Sequence, residues 1–423
     1  MLAFALPLIV AACDLSALFS SPADWERSCD AFVQEHRADG FRYASDRKDV
    51  ANCMCRGACT WNGLEVWEAR IYCREDRPSK LEMSMYNRGD SKGSEALDAQ
   101  RLGELLGKVA AAVEPGAKPE AGAAKTKLRT GGFQYVRRFT KGTNDVELAW
   151  GVDGAKAKVL TADYVRVTVS PKSAARAPSI AIRRDRKPNH KANVVKNAEG
   201  DVWIDNVPMV DQGQKGYCAC AVSERVLRYF GKDVDEHQIA QMAGSTADGG
   251  TSVDRMIETV RAVGAKNRLG FQPIVSMNGT VKDIYKEVEQ YNKAAKSMRS
   301  PEIDVASCMQ GNTIMVGMIR ERMKPEVVLK MRTRDSRFRR FLNGVKTQID
   351  SGTPVFWGVT LGMFPEPEIP QASGGHMRLI IGYNQKTHRI FYSDTWGAGH
   401  ERKAMDEDKA FAITHDAFYL KQL

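Results

Sequence analysis

The chain has 423 residues, too many for one ordinary hydrophobic core, so two or more domains are expected. A hydrophobic fraction of 43% beside 27% charged residues excludes wholesale disorder. The formal net charge of +10 is compatible with an anionic partner, but such an excess more often serves solubility alone.

In chain order, Leu2 to Ala12 form an unbroken apolar stretch, too short to span a bilayer and of the right length for a signal-peptide core. Residues 1–20 are therefore expected to direct export, although no positive charge precedes the apolar run. The segment Val10-Ala11-Ala12-Cys13 resembles a bacterial lipobox. That makes Cys13 the candidate lipidation site and the protein a membrane-anchored lipoprotein, periplasmic or extracellular; the same residues also fit ordinary small-residue cleavage.

Five of the nine cysteines, Cys29, Cys53, Cys55, Cys59 and Cys73, crowd the region that follows, where an oxidising compartment favours disulfides. Their spacing lacks the paired C-x-x-C knuckles of a zinc ribbon, so no metal is assigned. Leu81, Met83 and Met85 alternate with polar neighbours, as do Val165, Val167 and Val169, which predicts strands. Leu102, Leu105, Leu106, Val109 and Val113 recur at helical spacing as far as Pro115, and the GAKPEAGAAK segment beyond it reads as a surface loop. Residues 21–171 are thus expected to form a small disulfide-containing α+β domain, with no motif that carries chemistry. From 172 to 200 the chain turns basic and rich in breakers, and reads as an interdomain linker. It lacks aromatic residues that stack on bases, so no nucleic acid is expected as a partner.

The second domain, 201–423, opens with PMVDQGQKGYCACAVSERVLRYFG. Cys218 begins a helical pattern that stops at Gly231, so its sulfur falls in the first turn. There the unpaired N–H groups and the positive dipole end favour thiolate. Gly213 and Gly216 allow close approach of the backbone to a ligand, and Gln212 offers an amide donor to an oxyanion forming beside the sulfur. Cys220 faces roughly the opposite way and reads as structural; it and Cys308 are either a bridged pair or buried thiols. Far downstream, TPVFWGVTL, HMRLIIGYN and RIFYSDTWG read as successive strands of one sheet. Antiparallel neighbours would bring His376, at the start of the second, to Asp394, at the end of the third. A general base and the group that orients it need that geometry.

Pro208, Gln212, Gly213, Gly216 and Cys218 stand in the register Pro-x-x-x-Gln-Gly-x-x-Gly-x-Cys, followed in order by His376, Gly382-Tyr383 and Asp394-Thr395-Trp396-Gly397. Over roughly residues 200 to 423 this resembles the papain-like cysteine peptidases. Asp394 in place of asparagine, Ala219 in place of tryptophan and Lys215 in place of a cysteine are more similar to the bacterial branch that includes double-glycine leader peptidases. The resemblance implies an α+β fold, with the cysteine-bearing helix packed on an antiparallel sheet, and a Cys218-His376-Asp394 triad with Gln212 as oxyanion donor. It also implies substrate contacts at Gly216, Tyr217 and Gly375, a peptide or protein substrate cleaved through a thioester, and no cofactor. The interval from Cys218 to His376 exceeds the roughly 130–150 residues usual for papain-type enzymes, which predicts a helical insertion within about 275 to 345. Two other readings stay open: an amidase or acyltransferase of the same fold acting on cell-wall peptide, and a surface binding module with a vestigial peptidase domain.

Overall fold

A computed structural model describes residues 13–44, 48–54, 59–88, 96–113, 115, 117–119, 122–127, 133–152, 161–172, 190–212, 217–232, 239, 253–266, 268–277, 280–311, 313–371 and 373–423. The apolar run before Cys13, and with it most of the expected signal, lies outside the described residues, as do Cys55, Gly213 and Gly216.

Two large antiparallel sheets organise the chain. The first runs in spatial order Arg42–Tyr43, Val50–Cys53, Glu68–Arg74, Arg77–Asn87, Ala162–Pro171, Asn144–Val152, Phe133–Lys141 and Ala117–Pro119. Strand side chains alternate with period 2, so Leu81, Met83, Val165, Val167 and Val169 fall on one face, over Leu102, Val109 and Val113 of the helix Ala99–Val113. A disulfide between Cys29 and Cys73 ties the helix Cys29–Glu35 to this sheet. Cys13 is buried beside Cys59, its partner across two paired short strands, and burial followed by the neighbouring Cys59 pushes its thiol up to about 12.

Two expectations change. The segment after Pro115, read as a loop from its Gly, Ala and Pro content, supplies two short strands, Ala117–Pro119 and Ala124–Lys127, which both pair with Phe133–Lys141. They lie at the sheet edge, where pairing needs only backbone groups and a proline is tolerated. The expected linker also ends earlier. Val194–Lys196 pairs with Asp201–Ile204 through a turn at Gly200, so its last part is the edge of the second sheet.

That second sheet continues from Asp201–Ile204 through Gly374–Asn384, Val355–Leu361, Thr414–Gln422 and Leu269–Ser276. Arg389–Ser393 pairs with Gly374–Asn384 and carries Lys403–Asp406 beyond it. Trp357 and Val359 pack with Phe341, Val345 and Ile349 of the helix Ser336–Asp350. Phe356, Met377 and Leu379 point the other way, onto Val222 and Val226 of the helix Cys218–Tyr229. The sheet is therefore covered on both faces, which explains the near-continuous apolar runs of its central strands. Gly382 is required where it stands, because a Cβ there would lie 2.6 Å from the Val202 carbonyl oxygen and 2.9 Å from the Phe391 ring.

The helices Val281–Ser297, Val316–Arg322 and Pro325–Arg332 build a core of their own around Tyr291, Ile319 and Val327, within the expected insertion. Cys308 belongs to that core and Cys220 to the core of the Cys218 helix, so the two are not bridged. The two large units touch: Met209 is buried against Ala44 and Val50, and Arg228 pairs with Asp49 at 3.8 Å.

Replacing both bridged residues, Cys29→Ala with Cys73→Ala, is expected to remove roughly 2–4 kcal/mol of stability by freeing the chain loop in the unfolded state. Denaturant unfolding of the full chain, followed without reductant, measures it. An unchanged first transition would show that the bridge adds nothing.

Candidate active site

Cys218 is the first residue of its helix and is half-buried, so its backbone N–H has no intrahelical acceptor. Tyr217 stands at the helix N-cap without a side-chain capping hydrogen bond and is 2% exposed in the apolar core. Its ring therefore anchors the helix start, and only its main chain could meet a substrate. Gly375 is exposed beside His376, with open space where a side chain would stand. Gly216, the third expected substrate contact, lies outside the described residues.

His376 is the third residue of the strand Gly374–Asn384, and Asp394 directly follows the adjacent strand Arg389–Ser393. With Leu379 opposite Ser393, the register delivers the two side chains to one place. His376 Nε2 and Asp394 Oδ1 are 2.7 Å apart, and both side chains are wholly buried. Trp396 stacks on the imidazole at 4.3 Å and 5°, fixing the plane of the ring. Nδ1 makes no regular hydrogen bond, yet the ring and the Cys218 sulfur are close enough to perturb each other's ionisation.

The three groups set one another's charge. Burial pushes the Cys218 thiol up, but His376 and the backbone N–H groups of Met377 and Ala219 overcome it and leave the thiol below its usual range. Burial likewise disfavours the imidazolium, and the hydrogen bond to Asp394 together with the nearby Cys218 sulfur reverses this, raising His376 to about 9. For Asp394, burial is outweighed by His376 and Arg378, and the carboxyl stays below the usual carboxylate range.

Gln212 is 4% exposed and fastened to the turn after Asp394. Its backbone N–H donates to the Thr395 carbonyl at 2.7 Å, and its Oε1 accepts from the Thr395 hydroxyl. The amide oxygen is thus committed to Thr395. Cys220, at 1% exposure, stays in the core.

Two arginines were not singled out from the sequence. Arg225 stands seven residues after Cys218, two turns along the same helix, and is buried there beside Ser223 and Glu224. It donates from Nε to the Pro208 carbonyl at 2.7 Å, from Nη1 to the Asp394 carbonyl at 2.7 Å and from Nη2 to Ser393 Oγ at 2.6 Å. Arg378 stands two residues after His376, on the same strand face, and contacts both Asp394 and Glu366. Arg378 was visible as a lone charge in an apolar run and Arg225 was not, since Glu224 and Arg228 flank it; the partners of both come from other segments. Among the described residues no group of three or more His, Cys, Asp or Glu side chains is placed to hold a metal ion.

The sequence profile of the Peptidase C39-like family matches residues 204–419, just over half of the chain. Among solved structures, xylellain, a cysteine protease from Xylella fastidiosa, is similar at 11% identity, with a TM-score of 0.28, over 56% of this chain and 89% of that one. No curated protein matches.

The raised imidazole and lowered thiol set a pH window. The ring holds its proton as pH rises to about 9, while the thiol ionises below its usual range, so the charged pair has a window that closes as pH passes about 9. Alkylation of Cys218 by iodoacetamide at about pH 6 is expected to be at least about tenfold faster than in His376→Ala, since an isolated thiol is almost fully protonated there. Equal rates would mean that the ring does not ionise the sulfur.

Proposed function

The chain belongs to the Peptidase C39-like family, and from that premise we propose that this cysteine peptidase cleaves peptide bonds with Cys218 as nucleophile, His376 as base and acid, and Asp394 as the group that orients His376. The observation that carries the proposal is the buried 2.7 Å contact of Asp394 Oδ1 with His376 Nε2, which leaves Nδ1 for the sulfur at the helix start. In the first half-reaction the thiolate adds to the scissile carbonyl. The negative oxygen is met by the Cys218 backbone N–H and the Gln212 amide. The tetrahedral adduct collapses, the C–N bond breaks, and the His376 imidazolium gives its proton to the leaving amine. In the second half, neutral His376 takes a proton from water, hydroxide adds to the thioester, and the acid product leaves as the thiolate and imidazolium are restored. Every step uses groups already held in place, so the catalytic contribution is orientation together with preset charge.

We further propose that the enzyme works outside the cytoplasm. The apolar run before Cys13 and the disulfide between Cys29 and Cys73 support this reading. Attachment of a lipid at Cys13 would require the strand Cys13–Asp14 to lift from its pairing with Cys59 and Thr60, because the sulfur is buried there.

Cys218→Ala is expected to abolish cleavage of a peptide library, while Cys220→Ala retains much of it if the helix core survives the lost volume. Retention in the first variant and loss in the second would reverse the assignment of the nucleophile. Gln212→Ala should lower kcat by roughly 10²–10³ with little change in KM, the usual effect of losing one oxyanion donor. Unaltered turnover in a folded variant would make Gln212 a structural tie to Thr395 and nothing more.

A further inference from the structure

Arg378 occupies an apolar strand, and its side chain has no exposed surface. Burying a guanidinium carries a desolvation cost that an aliphatic side chain at the same place would avoid. Its contacts indicate what offsets that cost. Nε donates to Asp394 Oδ1 at 3.1 Å, the same oxygen that His376 Nε2 approaches at 2.7 Å. Nη1 reaches Glu366 Oε1 at 3.1 Å and Oε2 at 2.9 Å. Glu366 is held in turn by the Tyr392 hydroxyl at 2.6 Å, and the Tyr392 ring lies 4.6 Å under the guanidinium. Asp394 Oδ2 has no hydrogen-bond partner among the described residues, so the carboxylate is held through one oxygen by two donors. Without the second donor the carboxylate is free to turn about its own axis, and the imidazole loses a fixed acceptor.

We propose that Arg378 is a positioning residue for catalysis: braced by Glu366 and Tyr392, it grips Asp394 Oδ1 and thereby fixes the carboxylate that orients His376. This rests on the triad proposed above and adds to it a second buried ion pair that governs the pH range of the site. Arg378 stabilises the Asp394 anion and opposes the His376 cation, while Glu366 opposes Arg378. Other charges also face the group. Arg225 approaches from the Cys218 helix but donates to the Asp394 main chain, and Cys218 lies on the far side of the imidazole. His400 and Glu401 act from the turn after Trp396, and Lys403 from the strand beyond it. None of these changes in the variants that follow, so a shift reports the Arg378–Glu366 pair.

The test is the rate of Cys218 alkylation by iodoacetamide in the full chain, followed from acid to alkaline pH. It reads the formation of the thiolate–imidazolium pair at one inflection and loss of the imidazolium proton at a second. Glu366→Gln keeps an acceptor for both partners but leaves the arginine charge uncompensated, and both inflections are expected to fall by roughly one pH unit. The double change Arg378→Met with Glu366→Gln removes both charges without leaving a buried ion alone. Arg378 is the nearer of the two to Asp394, so both inflections should rise by roughly one unit. Arg378→Lys retains the charge and should keep the inflections near their original positions. A residue that served only packing would lower thermal stability in these variants without moving either inflection. Unmoved inflections in Glu366→Gln and in the double variant would therefore overturn the proposal. Failure of the triad itself would look different: unaltered protein would then show a single ordinary thiol inflection, whether or not His376 is present.

Discussion

One buried guanidinium, that of Arg225, joins the three chain segments from which the site is made. Its fork reaches the carbonyl of Pro208 ahead of Gln212, the end of the Asp394 strand, and, through its own backbone, the helix that begins at Cys218. Lysine offers a compact cluster of donors on one nitrogen and cannot span three acceptors in fixed directions, whereas the planar fork does. No carboxylate touches it directly in those three bonds; burial brings its pKa down to about 10, with Asp394 and Glu401 acting against that loss at longer range. Hydrogen bonds from a charged donor contribute about 1.5–3 kcal/mol each, enough in sum to keep the cation in the interior.

Around this joint the charges alternate in sign. Glu366 faces Arg378, Arg378 faces Asp394, Asp394 faces the imidazolium, and the imidazolium faces the thiolate. Each member makes its neighbour's ionised form cheaper to bury, which is why the carboxyl and thiol are held low and the imidazole high in a place where burial alone would neutralise all three. The site titrates as a coupled set, and a change at its outer end reaches the sulfur without touching it.

The sequence made the helix start at Cys218, the antiparallel pairing of the His376 and Asp394 strands, and the helix up to Val113 legible, because each depends on local period and spacing. Ala117–Pro119, Ala124–Lys127 and Val194–Lys196 were not legible as strands. They sit at or near sheet edges, where neighbouring backbones provide the pairing and no apolar alternation is needed. The pairing of Cys29 with Cys73 was equally hidden, since five close cysteines admit many connections. Arg378 could be noticed as a charge in an apolar run, but its role depends on Asp394 across a strand pair, and that of Arg225 on Ser393 and Asp394 more than a hundred residues away. The inward direction of the Tyr217 ring, which fills the core beside Cys218, was equally hidden, since it depends on the packing of the helix against the sheet.

Met209 lies three residues before Gln212 and is buried against Ala44 and Val50 of the first unit, with Arg228 of the Cys218 helix paired to Asp49 nearby. The catalytic unit is consequently not a self-contained cassette. Excised, or grafted onto an unrelated scaffold, it would carry a bare apolar scar at Met209 on the very segment that leads to Gln212. A smaller side chain at Val50 or at Met209 would open a void at that seam, and a larger one would push the two units apart.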